Sequence, residues 1–175
     1  MTEQLQRAMV ITAHPADAEF TVAGTVARWV RDGQEVIYVI CTDGSRGSND
    51  PNVEPAALAI TRKVEQDAAA RVLGVNEVVY LDYEDGTLEP TLSLRRDLTR
   101  TIRRYRPRIV VCPDPTMRFY GNDYLNHPDH RAAGDAALDA VFPSAGTRYI
   151  FPELLAEGLE PYDVKEVYIH GHPTP

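Results

Sequence analysis

Short, wholly apolar runs alternate along this chain with stretches in which apolar residues recur every three or four positions. Ala8–Ala13 (AMVITA) is the first such run; it lacks the apolar-polar alternation of a one-sided strand and so predicts a strand buried on both faces. Val22, Val26, Trp29 and Val30 then fall at i, i+4, i+7 and i+8, the stripe of an amphipathic helix, and Asp32-Gly33 ends it. Val36–Cys41 (VIYVIC) reads as a second buried strand, followed by a loop rich in Gly, Ser, Asn and Pro from Thr42 to Asn52. Pro55 suits the first turn of a helix that runs to Leu73 and stops at Gly74. Glu77–Leu81 predicts a third strand, and Leu94, Leu98, Ile102 and Tyr105 stripe the next helix, which Pro107 closes. Arg108–Cys112 is a fourth strand, and a long loop leads to Asn126. Pro128 opens a helix whose apolar face is its alanines with Leu138 and Val141, and Val164–His170 is the last strand.

This alternation implies an α/β fold, a Rossmann-like three-layer sandwich whose mostly parallel sheet carries helices on both faces. The 175 residues suit a single domain, 1–175, and the chain stops five residues after its last strand with no closing helix, the pattern of a domain whose C-terminal part is missing. A net charge of −8 opposes binding to nucleic acid or to anionic membranes. No apolar stretch approaches the ~20 residues of a membrane span, and the first residues, MTEQLQRAMVITAH, lack a secretion signal. Cys41 and Cys112 lie inside apolar runs without CxxC spacing, as buried reduced residues of a cytoplasmic protein do. Arg95, Arg96, Arg100, Arg103, Arg104, Arg106 and Arg108 crowd one segment; along a helix such a run reads as a solvated face.

Chemistry-bearing residues gather at two strand ends. His14 and Asp17 follow the first strand, three residues apart on the turn into a helix, and His127 and His130 open the helix after the fourth. If the strands lie in the order 3-2-1-4-5, strands one and four are neighbours where the winding reverses, and both motifs open into one crevice. Two imidazoles and a carboxylate about an open position form the ligand set of a hydrolytic zinc site, although Fe2+ or Mn2+ accepts the same donors. Either motif alone reads as a helix cap or a surface histidine; their convergence is what points to a metal. His170 and His172, near the chain end, are assigned no catalytic role. The first strand-helix turn lacks G-x-G-x-x-G and there is no Walker lysine, which argues against a nucleotide-binding domain.

The segment Ala13-His14-Pro15-Ala16-Asp17-Ala18-Glu19 and the segment His127-Pro128-Asp129-His130 resemble the A-H-P-D-D-x-E and H-P-D-H signatures of the LmbE-like (PIG-L-type) zinc-dependent N-deacetylases. Thr42-Asp43-Gly44, the Arg62 and Glu65 pair and Asp85-Gly86 extend the resemblance over nearly all the chain. It implies a mononuclear zinc hydrolase that removes the acetyl group from an N-acetylglucosamine unit, a small amino-sugar or its conjugate, and that assembles into trimers or hexamers. A close variant is amidase action on a sugar-thiol conjugate.

The resemblance assigns His14, Asp17 and His130 to the metal, and His127 to the tetrahedral intermediate as polariser or acid. Asp129 would orient a histidine through its second ring nitrogen, and Glu19 would support the site from behind. Arg62 and Asp85 match positions that hydrogen-bond sugar hydroxyls, although Arg62 reads equally as an ion pair to Glu65. A tyrosine that some members carry two residues before H-P-D-H is Leu125 here; Tyr124 is one step off and receives no role. Specificity is expected in two loops, Thr42–Asn52 and Pro113–Asn126.

One departure concerns the chemistry itself. The family's general base, the first aspartate of the pair, is Ala16 here, and a methyl group accepts no proton. Loss of a general base typically slows a reaction by about 10²–10⁴, while the matched ligands remain. Three readings stay open: an engineered chain that holds substrate, a relative that uses Asp129 or Glu19 as its base, and a non-catalytic, metal-containing carbohydrate-binding or regulatory protein.

Overall fold

The computed structural model describes residues 6–172; the readings made of the first five residues and of the end at Pro175 lie outside them. In chain order the elements are β1 (Arg7–Thr12), α1 (Asp17–Thr21), α2 (Ala23–Arg31), β2 (Glu35–Thr42), α3 (Pro55–Leu73), β3 (Glu77–Tyr83) and α4 (Leu92–Tyr105). They continue with β4 (Ile109–Pro113), β5 (Phe119–Tyr120), β6 (Tyr124–Leu125), α5 (Pro128–Asp139), α6 (Glu153–Ala156) and β7 (Glu166–His170). The main sheet has the order β3-β2-β1-β4-β7 with every pairing parallel, which is the expected 3-2-1-4-5 arrangement. Winding reverses between β1 and β4, and the crevice of an open sheet lies beyond the carboxyl ends of such a pair.

The central strands lack alternation because both of their faces are covered. Met9, Ile11, Ile37, Val39 and Cys41 pack toward Leu94, Leu98 and Ile102 of α4 and the alanines of α5. Ala8, Val10, Val36, Tyr38 and Ile40 pack on the opposite face with Ala18 of α1, Val26 of α2 and Ala70 of α3. The fold is therefore the anticipated α/β sandwich of three layers. Cys41 and Cys112 are buried free thiols, and burial pushes both pKa values up. Among the described residues no helix is long and apolar enough to cross a membrane.

Small side chains set the height of α5 over the sheet. A Cβ on Gly134 would lie 2.4 Å from the Pro113 carbonyl oxygen, so only glycine lets this helix rest on the end of β4. That seating brings the start of α5, with its histidines, beside the end of β1. Gly74 ends α3 in the left-handed conformation (φ 77°), as the sequence suggests.

Four features depart from the sequence reading. The first helix is two, broken at Val22, whose φ of −129° is not helical. The helix opened by Pro128 stops at Asp139; beyond it Phe142 is extended and the Phe142-Pro143 peptide is cis, so Val141 belongs to an irregular segment. The loop before Asn126 contains the antiparallel hairpin of β5 and β6. Finally, the arginines of α4 are not all solvated. Arg100 pairs with Asp97 and Glu157, but Arg103 is only 2% exposed, and its guanidinium donates to the carbonyls of Ser144, Ala145, Thr147 and Ile150. The irregular segment over α4 leaves carbonyls short of helical partners, and this arginine adds donors to them, beside the Tyr162 and Ile150 amides that meet Ala145 and Thr147.

Candidate metal centre

Two turns meet beyond the ends of β1 and β4. On the first, His14 leaves β1 and Asp17 opens α1; the His14 backbone N–H donates to Asp17 Oδ2 at 2.8 Å, which fixes the turn. On the second, His127 caps α5, its Nδ1 accepting the Asp129 amide proton at 3.1 Å, and His130 follows one turn later.

Three donor atoms from these turns form a nearly equilateral triangle. His14 Nδ1 is 3.3 Å from His130 Nε2 and 3.4 Å from Asp17 Oδ2, and His130 Nε2 is 3.3 Å from Asp17 Oδ2. Donors bound tetrahedrally at ~2.0–2.1 Å are separated by about 3.3–3.4 Å, so these atoms are spaced as one face of such a polyhedron. His14 is buried, whereas Asp17 and His130 are partly open. A second grouping of His14, His127 and Asp129 also converges. There, however, His127 Nδ1 is occupied by the Asp129 amide, and both Asp129 oxygens accept backbone N–H groups.

Asp129 and Asp85 stand behind His14. His14 Nε2 is 3.2 Å from Asp129 Oδ2 and 3.1 Å from Asp85 Oδ1. Asp129, fully buried, is itself held by the amides of Gly86 (2.7 Å) and Leu88 (3.2 Å). A proton on Nε2 shared with these carboxylates leaves the Nδ1 lone pair facing the triangle, the arrangement by which a carboxylate fixes a ligand tautomer.

The electrostatics follow from this crowding. Burial opposes the charged form of His14, but its hydrogen bonds to Asp129 and Asp17 outweigh that and raise its pKa to about 9. Burial likewise works against the Asp17 carboxylate, yet His130 and His14 hold its pKa well below the ordinary range. His127 moves the other way, depressed by burial and by the neighbouring His14. With Nδ1 accepting, its proton resides on Nε2.

Ala16 lies between His14 and Asp17 on the first turn, in the left-handed region (φ 76°, ψ −14°). Its N–H donates to Gln66 Oε1 at 2.7 Å, and Gln66 Nε2 donates to Glu19 Oε1 at 3.0 Å. Ala16 borders a cavity of about 210 Å³ together with Glu19, Arg62, Glu65 and Gln66. Arg62 donates to the carbonyls of Pro15 (2.8 Å) and Gly44 (3.3 Å), and among the described residues it makes no ion pair with Glu65. Asp85 Oδ2 accepts the Arg46 amide at 3.0 Å. Gln66 escaped the sequence reading; the signal available was its place one helical turn after Arg62 on α3.

His170 is assigned no catalytic role on sequence grounds. It ends β7, on the same carboxyl edge as the other strand-end residues, and lines a cavity of about 300 Å³ with Asp17, Phe20, Tyr120, Tyr124 and His130. The strand-end argument that singled out His14 applies equally to it.

Residues 9–141 match the PIG-L family, described as GlcNAc-PI de-N-acetylase. A diacetylchitobiose deacetylase of Thermococcus kodakarensis is 34% identical over 163 residues, covering 93% of this chain and 59% of that protein. A probable N-acetyl-alpha-D-glucosaminyl L-malate deacetylase 2 of Bacillus anthracis is 30% identical over 76% of this chain and 58% of its own length. Among solved structures, the N,N'-diacetylchitobiose deacetylase of Pyrococcus horikoshii superposes with a TM-score of 0.90 at 32% identity, covering 97% of this chain and 62% of that one. The chain thus spans about six-tenths of the length of these relatives. It belongs to the PIG-L (LmbE-like) family.

Proposed function

We propose that this chain is a zinc-dependent N-deacetylase scaffold for an N-acetylglucosamine-type sugar or conjugate, with its turnover held down by Ala16. The observation that carries the proposal is the triangle of His14 Nδ1, Asp17 Oδ2 and His130 Nε2, with edges of 3.3–3.4 Å. Two imidazoles and one carboxylate are an ordinary ligand set for zinc, and Fe2+ or Mn2+ accepts the same donors. Zinc in such a site supplies Lewis-acid activation of water and of the amide carbonyl.

The protein's own groups have distinct tasks. Asp129 and Asp85 hold His14 by Nε2 and keep its other nitrogen directed at the ion. His127, neutral with its proton on Nε2, is a donor for the oxygen that gains charge as the amide carbon becomes tetrahedral. Arg62 has five N–H donors and spends two on carbonyls, and the Asp85 carboxylate has lone pairs beyond those used by His14 and Arg46; both can still meet sugar hydroxyls.

The missing task is proton acceptance from the attacking water. Asp129 is a poor substitute, because His14 and two backbone amides hold its carboxylate and its pKa is lowered. Glu19 shares the Ala16 cavity but is tied to Gln66. The methyl of Ala16 also favours a second reading, a carbohydrate-binding relative that keeps the metal as an anchor. In either reading the protein binds zinc and an N-acetylated sugar.

Metal analysis by mass spectrometry tests the site: about one zinc per chain is expected, and its loss in His130→Ala. Calorimetric titration of the zinc-loaded protein with N-acetylglucosamine then tests the ligand class, with binding expected only when zinc is present. A metal-free protein, or a zinc-loaded one indifferent to the sugar, would overturn the proposal.

A further inference from the structure

Between His14 and Asp17 the chain passes through one peptide unit whose two polar groups are both held by the same helix. The Pro15 carbonyl and the Ala16 N–H belong to a single planar peptide and, in the trans form, point in opposite directions. Arg62 Nη2 donates to that carbonyl at 2.8 Å, and Gln66 Oε1 accepts from that N–H at 2.7 Å. Arg62 and Gln66 lie four residues apart on α3, on the face that also carries Ala70 into the core.

Both side chains are themselves held. A Cβ on Gly44 or on Gly47 would lie 2.9 Å from Arg62 Nη1, so the guanidinium is packed closely against both glycines. Gln66 is 2% exposed, and its Nε2 donates to Glu19 Oε1 at 3.0 Å. A flipped amide would set N–H against N–H at Ala16 and carbonyl against carboxylate at Glu19. Glu19 therefore decides which end of the amide faces the turn. The other Glu19 oxygen is shielded from solvent and has no hydrogen-bond partner among the described residues. Burying such an oxygen opposes folding, so stability alone does not account for this carboxylate; the orientation of Gln66 is what it supplies.

Rotation of the Pro15–Ala16 plane changes the ψ of Pro15 and the φ of Ala16 together. These torsions set how far His14 Nδ1 stands from Asp17 Oδ2, 3.4 Å here. Position 16 needs a restraint, because the right-handed region is more favourable for an L-residue than its φ of 76°. We propose that Gln66 is a positioning residue of the metal centre, which clamps this peptide plane together with Arg62 and is itself oriented by Glu19. The proposal rests on the metal-binding reading of His14, Asp17 and His130. It gives α3, which contributes no metal donor, control over the spacing of the two donors on the first turn.

The test follows zinc affinity by competition with a chromogenic chelator, the visible spectrum of the Co2+-loaded chain, and hydrogen exchange of the Ala16 amide. Gln66→Leu removes the acceptor and is expected to weaken zinc binding by about 10–100-fold, as loss of a group that orients a ligand does. Its Co2+ absorption should weaken as the donors leave tetrahedral geometry. Gln66→Glu keeps an acceptor but sets two carboxylates against each other, with a loss of about tenfold expected. Glu19→Gln combined with Gln66→Glu exchanges amide and carboxylate, restores a donor and an acceptor to each bond, and is expected to return to within about threefold of the parent. A Gln66→Leu protein that melts at a lower temperature yet binds zinc as the parent does has lost a structural bond only, which overturns the proposal. So does a double exchange no better than Gln66→Glu alone, and this comparison decides the matter if Gln66→Leu does not fold. If the parent binds no zinc, the metal reading fails, while the clamp is still judged in the metal-free chain. There the Ala16 amide is expected to exchange at least about tenfold faster in the double exchange's parent variant Gln66→Glu or in Gln66→Leu than in the unaltered chain, and equal rates overturn the clamp.

Discussion

Ala16 is best probed by two substitutions at once, aspartate and asparagine, because the residue combines a conformational handicap with a chemical one. At φ 76° and ψ −14° its Cβ crowds the following carbonyl, which costs an L-residue about 1–2 kcal/mol. Asn and Asp enter this region more readily because their side chains hydrogen-bond locally. Both zinc-loaded variants should therefore gain roughly 0.5–1 kcal/mol, or about 1–4 °C in Tm for a chain of this size.

Their chemistry then diverges. Only aspartate accepts a proton, so only Ala16→Asp should recover the about 10²–10⁴ in rate that a general base supplies, equivalent to lowering the barrier by about 3–5 kcal/mol. Only aspartate, too, adds a fourth carboxylate near Asp17, Asp85 and Asp129. After chelation it should therefore be less stable than Ala16→Asn, and zinc should reverse that order. The assay is release of primary amine from N,N'-diacetylchitobiose at pH 7, read by fluorescamine, with zinc content matched across the proteins. An aspartate variant no faster than the asparagine variant, with zinc and sugar bound in both, would refute the assignment of the base position.

Three further outcomes follow from particular contacts. In the metal-free protein the folded-state pKa of His14, about 9, exceeds its ordinary 6.5, so its contribution to stability is complete below pH 6.5 and disappears as pH rises through 9. Thermal melts of chelated protein should fall across that window, and zinc affinity should rise over it as the proton leaves; a flat profile would contradict the burial and pairing described for this ring. Arg103→Met should cost about 3–5 kcal/mol in urea unfolding, because a buried cationic side chain and its hydrogen bonds to the buried carbonyls of Ser144 and Ala145 and the part-buried ones of Thr147 and Ile150 are lost; a loss below about 1 kcal/mol would mean that water replaces them. Gly134→Ala should cost about 1–3 kcal/mol and weaken zinc binding, since the new methyl pushes α5 and its His130 off the end of β4; unchanged zinc affinity would separate the helix seating from the metal site.

What could be read from the sequence was what local pattern controls. Runs such as Val36–Cys41 identified strands because a strand covered on both faces needs no polar partner positions, and Gly74 and Pro55 marked the ends of α3. His14 and Asp17 were legible because they sit on one tight turn at a strand end, and His127 and His130 because they share one helical turn. The hairpin from Phe119 to Leu125 was too short for any periodicity to register. Arg103 looked solvated because its fate is decided by carbonyls more than forty positions away. Gln66 meets Ala16 across fifty positions, and His170 reaches the site only because β7 pairs with β4.

The way the first turn is held bears on the proposal that a metal site persists here with alanine at the base position. The His14 amide is tied to the Asp17 carboxylate, the Ala16 amide to Gln66, and the Pro15 carbonyl to Arg62. None of these bonds involves the side chain at position 16. The left-handed turn that positions two metal donors is therefore imposed by its neighbours, and it persists although alanine is a poor occupant of that conformation. The donor triangle is likewise closed by residues on either side of Ala16 and by α5. On the proposed reading, metal binding and proton abstraction are thus separable on this scaffold, and a single change at position 16 alters the second without dismantling the first.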